Sequence, residues 1–215
     1  MIGSGLGLLL KGRLTEQFSQ SLLRVIGLCI CIVGISSALQ GDIMLLIVSM
    51  ALGTSVGELL RIEDGLNRFG SFLQRKLSKG GESTFSEGFV TATLLFCVGA
   101  MAVVGSIDSG LRDDQSVIVT KSILDAVSSM ILASSLGIGV LFSAFSVLIY
   151  QGSLELFAGF LQNVFTPALV MQISAVGGVM ILGIGVNMAL DAKLRIANCL
   201  PGLLFAAGYY YLFIR

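Results

Sequence analysis

The chain has 215 residues, of which 55% are apolar and 12% charged, with a mean hydropathy of +0.94 and a formal net charge of zero. Soluble domains carry about 25% charged residues, so this composition excludes an ordinary soluble enzyme and predicts an integral membrane protein. Zero net charge also offers no basic surface that would bind nucleic acid.

Uncharged stretches mark the candidate transmembrane helices in chain order. They cover residues 25–41, 43–57, 88–107, 126–154, 156–190 and 196–214. A helix needs about 20 residues to cross the hydrocarbon layer, so 88–107 and 196–214 each predict one crossing. The first two stretches are shorter, and we expect their flanking charges at the membrane interface.

The stretches 126–154 and 156–190 are too long for one helix each. We predict a span near 126–146, a non-spanning apolar segment near 150–165 and a span near 172–190. Pro167 is the expected break before the last span. The alternative is a helical hairpin that turns at Gly137-Ile138-Gly139, which would add a crossing and reverse every later helix.

The segment 61–87 holds most of the charge and differs from the rest of the chain. Its apolar residues recur at helical spacing, and its basic residues lie elsewhere around the helix. This pattern predicts an amphipathic helix over 61–79 that lies in the membrane interface instead of crossing it. A basic amphipathic helix can also bind a partner protein.

Similar sequences recur along the chain. Gly27–Gln40 aligns without gaps to Gly178–Asp191, and Gly3–Lys11 aligns to Gly53–Arg61. Repeated transmembrane units are typical of transporters. We therefore predict an all-α bundle of about six or seven transmembrane helices, built from parallel two-helix repeats. The predicted units are 1–40, 42–107 and 117–191, followed by a closing helix over 194–213.

Lys and Arg predict the orientation of this single transmembrane domain. In the predicted layout nine of them share one side with the C-terminus, and four lie on the other side. Cytoplasmic loops carry the excess of Lys and Arg, so we expect 61–87 and the C-terminus in the cytoplasm.

The sequence resembles a known bacterial membrane family over essentially its whole length. The residues that carry the resemblance are GLLLKGRL, VGELLRIE, EGFVTATLLFCVGAMAVVGS, LGIGVLFSAFSVLIYQG and SAVGGVMILGIGVN. They are similar to the family catalogued as domain of unknown function 554, and Glu87–Gly105 is the most specific part. The resemblance implies a multi-pass protein of the inner membrane and a candidate transporter. Members usually begin with a fuller first helix than Ile2–Leu10, which leaves the number of crossings open.

Ionisable residues near membrane depth are candidate functional groups because they are costly to bury. Glu58 is a candidate cation or proton ligand, and its alternative is an interfacial ion pair with Arg61. Asp125 is expected near the outer surface, paired with Lys121 four residues earlier. If its helix begins earlier than 126, Asp125 becomes buried and is the best candidate ligand for a coupling ion.

Neutral polar and small residues complete the candidate set. Asn187 aligns with Ser36 in the repeat, so the two predict either helix packing or a symmetric site. Asn198 and Pro201 predict a kink in the closing helix. The residues expected to allow close packing or breaks are Gly53, Gly57, Gly137, Gly139 and Pro201.

The residue set contains no catalytic constellation. There is no His, no HExxH or GxSxG motif, and the four Cys form no CxxC pair, so we expect no enzyme, metal site or cofactor. The first functional hypothesis is a transporter of a small solute or ion, with its site at the repeat interface. The second is a membrane sensor or assembly partner that acts through 61–79. The expected partners are the lipid bilayer and an unidentified solute or ion, with homo-oligomerisation left open.

Overall fold

The computed structural model describes residues 1–11, 16–77, 84–162 and 164–214, and within them it contains helices and no strand. The α-helices are α1 Ile2–Lys11, α2 Glu16–Ala38, α3 Ile43–Leu60, α4 Ile62–Leu77, α5 Phe85–Cys97, α6 Ala100–Arg112, α7 Ser116–Leu136, α8 Gly139–Leu156, α9 Ala158–Leu161, α10 Pro167–Leu190 and α11 Pro201–Tyr209. A 3₁₀ turn over Ile196–Cys199 precedes α11, and a π-helical turn over Tyr210–Ile214 follows it. The all-α class is confirmed.

Among the described residues, five helices are long and apolar enough to cross a membrane: α2, α3, α7, α8 and α10. A sixth crossing is formed if α5 and α6 are taken as one bent span. Helix α10 is the most buried of these, because 72% of its most apolar window is buried, against 17–22% for the other four. Helices α2, α3, α5, α6 and α11 pack against it.

Helices α2 and α10 form the most extensive contact between described helices and run antiparallel. A Cβ atom added to Gly34 would lie 2.4 Å from the Leu182 nitrogen, and one added to Gly178 would lie 2.7 Å from the Gly34 oxygen. Gly27 contacts Gly185 in the same way, with the Gly185 oxygen 2.8 Å from the added Cβ. The predicted parallel repeats are therefore wrong, because an axis along the membrane normal cannot relate antiparallel helices.

The predicted single span near 126–146 is also wrong, and the hairpin alternative is the arrangement observed. Helix α7 ends at Leu136, and α8 begins at Gly139 and returns antiparallel to it. Gly137 has φ 81°, a conformation in which residues with a side chain are strained. A Cβ on Gly139 would lie 2.0 Å from the Phe85 oxygen, so the turn is packed directly on α5. The predicted non-spanning segment 150–165 contains the end of α8 and the four-residue α9.

The predicted single crossing over 88–107 is broken. Helices α5 and α6 meet at a bend of 59°. Val98 leaves the helix with φ −90° and ψ 101°, and Gly99 is extended. The Val98 side chain packs on Gly177 of α10, where an added Cβ would lie 2.4 Å from Val98 Cγ1. A glycine on α10 thus provides the room for the break.

The bundle has two ends, which we call the α4 end and the α6 end after the helices that lie there. At the α4 end, the start of α4 contacts residues 196–198, and the turn between α7 and α8 packs on Phe85. At the α6 end, Tyr210 packs with Leu45 and Leu169. The chain thus ends at the opposite end of the bundle from α4, so the prediction that the two share one side is wrong. The hairpin at Gly137 causes this reversal.

Helix α4 runs across the α4 end of the bundle instead of passing through it. Its first turn is bound to the residues before α11, and Gly70 packs against Ser86, whose Oγ would lie 2.6 Å from an added Cβ. Phe69 is 51% exposed. This arrangement agrees with the predicted interfacial helix, of which residues 78 and 79 lie outside the described residues.

Candidate functional site

The broken helix lies beside an ion pair whose lysine is buried and whose aspartate is half-buried. Lys121 and Asp125 on α7 are paired one helical turn apart, and the Lys121 residue is only 7% exposed. Cys97, the last residue of α5, lies within electrostatic range of both. A helix break leaves backbone N–H and C=O groups unpaired. The unpaired backbone groups at the break and the side chains of Lys121 and Asp125 therefore lie near each other.

Helix α7 begins earlier than the sequence predicted. It begins at Ser116 instead of near 126, and a rise of about 1.5 Å per residue places Asp125 about 13 Å along it. An earlier start is the condition under which the sequence made Asp125 the best candidate for an ion ligand, instead of a residue near the outer surface.

A cavity of about 360 Å³ adjoins Asp125. It lies between α1, α5, α7 and α8. Its polar lining consists of Ser4, Ser122, Asp125, Ser129, Ser143 and Gln151. The Nε2 atom of Gln151 is buried and has no hydrogen-bond partner. Buried polar groups are usually satisfied, so this cavity has the polarity to hold a small polar ligand or water.

Two more buried hydroxyls flank the helix break. Thr93 Oγ1 lies one turn before it on α5, and Ser106 Oγ lies two turns after it on α6, and neither has a hydrogen-bond partner. Leaving a buried hydroxyl unsatisfied costs about 1–3 kcal/mol. Together with Gln151, these side chains concentrate unsatisfied polarity around the break. Sequence reasoning missed all three, although each lies in a stretch where polar residues are costly.

Glu58 lies outside this cavity, at the α4 end. Its carboxylate accepts a hydrogen bond from Arg195 Nη1 at 3.1 Å, and Arg195 Nη2 donates to Asp64 Oδ1 at 2.5 Å. The alternative pairing with Arg61 is therefore wrong. Arg61 instead ends α3 in a left-handed conformation, with φ 52°. The two carboxylates raise the pKa of the Arg195 guanidinium, so Arg195 stays charged and joins α3, α4 and the loop before α11.

Asn187 is hydrogen-bonded to the same loop. Its Nδ2 donates to the Leu194 oxygen at 2.8 Å, and its Oδ1 accepts from the Leu194 nitrogen at 2.7 Å. Ser36 is exposed near the far end of α2, at the α6 end. The predicted symmetric site of Ser36 and Asn187 is not formed, because antiparallel packing puts the two residues at opposite ends.

A second cavity, of about 450 Å³, opens at the α4 end between α4, α5 and α10. Asn187 borders it together with the charged side chains of Glu63, Glu87, Asp191 and Lys193. The Glu63 carboxylate accepts a hydrogen bond from the Ala197 nitrogen at 3.2 Å. Desolvation nevertheless raises the pKa of Glu63 above its usual value. Asp125 does not border this cavity. Of the predicted site residues, Glu58 and Asn187 both bind the loop 191–195, through Arg195 and Leu194. Asp125 lies in a different part of the bundle.

The predicted packing residues occupy close contacts. A Cβ on Gly53 would lie 2.2 Å from the Gly202 nitrogen, and one on Gly57 would lie 1.8 Å from the Asn198 oxygen. Pro201 starts α11 after the 3₁₀ turn, so a change of helix type replaces the predicted kink. The Asn198 Oδ1 accepts from the Glu63 nitrogen at 2.8 Å. Its Nδ2, the group that could donate to a carbonyl freed by the proline, is buried and has no partner.

The fold and this interior therefore define a multi-pass helical membrane protein with a broken helix beside a half-buried charged pair. A family model described as "Protein of unknown function (DUF554)" matches residues 1–211. The chain belongs to this family, which confirms the resemblance carried by the sequence.

Two curated relatives cover nearly the whole chain. The "Uncharacterized membrane protein YdfK" of Bacillus subtilis (strain 168) is 31% identical over 207 residues, which are 94% of this chain and 87% of that protein. The "Uncharacterized protein YqgA" of Escherichia coli (strain K12) is 29% identical over 211 residues, which are 96% of this chain and 90% of that protein. No solved structure matches the chain.

Proposed function

We propose that this protein transports a small solute or ion across the bacterial inner membrane, and that Asp125 lies in its binding site. The observation that carries the proposal is the break between α5 and α6 beside the half-buried Lys121–Asp125 pair. Broken transmembrane helices form the binding sites of many transporters, because their free ends present oriented backbone dipoles to the substrate. Ionisable residues within a membrane also tend to mark a substrate or ion pathway.

The packing of α2 on α10 indicates an inverted repeat, and this supports a transport function. Gly27 and Gly34 align in sequence with Gly178 and Gly185, whereas Gly27 contacts Gly185 and Gly34 contacts Gly178. Exchanging each residue for its aligned counterpart turns one contact into the other, as a twofold axis requires. This axis would lie in the membrane plane and would relate α2–α3 to α10–α11. Inverted repeats of this kind are common in transporters.

We further propose that the α4 end lies in the cytoplasm and the C-terminus outside it. The Lys and Arg residues in the described helix ends and connections are distributed unequally between the two ends of the bundle. The α4 end has Lys11, Arg61, Arg68, Arg75, Lys76, Lys193 and Arg195, and the α6 end has Arg112 and Lys121. This excess supports a cytoplasmic α4 end.

Cysteine labelling tests the orientation. In a background with the four native Cys replaced by Ser, a membrane-impermeant maleimide added to intact cells should label Asp114→Cys and not Lys193→Cys. Both positions should react after the membrane is permeabilised. The reverse pattern in intact cells would contradict the proposed orientation.

Flux through the purified full chain in proteoliposomes tests the proposed function. Solid-supported membrane electrophysiology should detect a current when one member of a panel of inorganic ions, amino acids and organic acids is applied. The double variant Lys121→Gln with Asp125→Asn, which leaves no unpaired buried charge, should abolish this current. Glu58→Gln should retain it because Glu58 lies outside the cavity. A flux that is insensitive to the double variant would place the pathway elsewhere. The absence of any response across the panel would argue against transport.

A further inference from the structure

Three of the four serine hydroxyls that line the cavity beside Asp125 already donate their protons. Ser122 Oγ donates to the Ile118 oxygen at 2.8 Å, and Ser129 Oγ donates to the Ala126 oxygen at 3.1 Å. Ser143 Oγ donates to a carbonyl of its own helix at 2.8 Å. A hydroxyl has one proton and two lone pairs. Each of these side chains therefore has only acceptor capacity left for a ligand.

The charged group that borders the cavity, the Asp125 carboxylate, is also a hydrogen-bond acceptor. Asp125 borders the cavity, and Lys121 engages its Oδ2 atom from the same helix. The second carboxylate oxygen, Oδ1, is the atom that another cation would take. Gln151 adds a terminal amide whose buried Nε2 is unpaired. Rotation of that amide by about 180° would exchange its nitrogen and oxygen, so it can also supply a carbonyl oxygen.

We propose that this cavity binds a monovalent cation, held by the Asp125 carboxylate and the hydroxyl oxygens of Ser129 and Ser143. The proposal rests on the proposed function and specifies the ligand class of its site. Hard cations take oxygen ligands, and divalent ions generally require several carboxylates. Within the described ranges, no three His, Cys, Asp or Glu residues are close enough to hold a metal ion together. One carboxylate with neutral oxygens suits a singly charged ion.

The hydrogen-bonding pattern also disfavours an anion in this cavity. An anion requires donors, and Ser122, Ser129 and Ser143 have already used theirs, which leaves the Ser4 hydroxyl and the Gln151 amide nitrogen. Asp125 borders the cavity, and Lys121 does not. A bound anion would also lie beside the Asp125 carboxylate, which would repel it.

Thermal unfolding of the full chain in detergent tests cation binding without requiring transport. The probes are Na⁺, K⁺, Li⁺ and NH₄⁺ as chlorides, with N-methylglucamine chloride keeping the chloride concentration and ionic strength constant. One of the four should raise the melting temperature saturably, because a ligand that binds only the folded state stabilises it. Ser143→Ala should raise the half-saturating concentration about fivefold through the loss of one ligand oxygen.

Removal of the carboxylate requires a paired variant. Asp125→Asn alone leaves Lys121 buried without its partner, which can unfold the protein. The double variant Lys121→Gln with Asp125→Asn removes both charges and should fold without responding to any cation. Glu58→Gln is the matched control, since it removes a carboxylate outside the cavity, and it should respond as the wild type does.

The outcomes separate the cation site from the proposed function. No saturable shift with any of the four cations, or a shift that survives in the double variant, would overturn the cation site. In that case a flux of another solute that depends on Asp125 would still support transport. A shift caused by changing the anion, with the cation held constant, would also overturn it. Cation binding that is lost in the double variant, without any flux, would uphold the site and contradict transport.

Discussion

The contact between α2 and α10 predicts a large cost for adding single methyl groups. Alanine at Gly34 would place its Cβ 2.4 Å from the Leu182 nitrogen, and alanine at Gly178 would place its Cβ 2.6 Å from the Ala38 nitrogen. Ordinary van der Waals contact needs about 3.5 Å or more, so each methyl group is about 1 Å too close. The opposing atoms belong to backbone, so no side-chain rotation relieves the overlap. The two helices must move apart or bend.

The expected magnitude follows from overpacking in tightly packed interiors. Such substitutions cost about 1–3 kcal/mol, and occasionally more. For a chain of this size, 1 kcal/mol shifts the melting temperature by about 2–4 °C. Because α10 is the most buried crossing, a displacement there disturbs helices on several sides. We therefore expect each variant to lose several degrees of thermal stability.

Matched controls come from glycines in other helices. Gly152 on α8 and Gly208 on α11 have nothing within 4 Å of an added Cβ. Alanine is a better helix former than glycine by about 0.5–1 kcal/mol, so these two variants should be unchanged or slightly more stable. The four proteins are compared by thermal unfolding in one detergent, monitored by circular dichroism.

The double variant of Gly34 and Gly178 sharpens the test. These residues contact each other, with an added Cβ on either one 2.7 Å from the oxygen of the other. Once the first methyl group has separated the helices, the second should cost less, so the two effects should not add. If Gly34→Ala were as stable as Gly208→Ala, the close approach of α2 and α10 would be wrong, and the inverted repeat inferred from it would lose its support.

Two further predictions concern the α4 end. Asn187→Ala removes both hydrogen bonds to Leu194. It should destabilise the protein by about 1–2 kcal/mol and accelerate hydrogen exchange in residues 192–195. Exchange equal to that of the wild type would show that other contacts hold the loop. Desolvation raises the pKa of Glu63 in the folded state, so its carboxylate disfavours folding at neutral pH and this cost falls as the pH drops toward the ordinary pKa of glutamate, about 4.3. Glu63→Gln keeps an acceptor for the Ala197 nitrogen, so it should be at least as stable as the wild type at pH 8 and should lose that advantage near pH 5 in thermal unfolding. A variant that is less stable at both pH values would contradict the sign of this effect.

The sequence by itself determined the class of protein and the positions of some of its helices. Helix α3 occupies the predicted stretch 43–57 with small extensions, and the interfacial α4 follows it, because hydropathy and helical periodicity are properties of local sequence. The break at Gly137 was visible as an alternative for the same reason. The glycines of α3 also predicted close helix packing, and Gly53 and Gly57 lie directly against residues 202 and 198.

Only the tertiary structure decided the direction of each helix and the partners of each polar residue. A single turn at Gly137 reverses every later crossing, and nothing local distinguishes a bent helix from a hairpin there. Small residues permit close approach of parallel and antiparallel helices alike, so the glycine repeat could not show that Gly34 lies against Gly178. The pairing of Glu58 with Arg195 follows from that reversal, because it returns a loop 137 residues away to the α4 end. Such contacts depend on the path of the whole chain, and the local sequence around either residue does not contain that information.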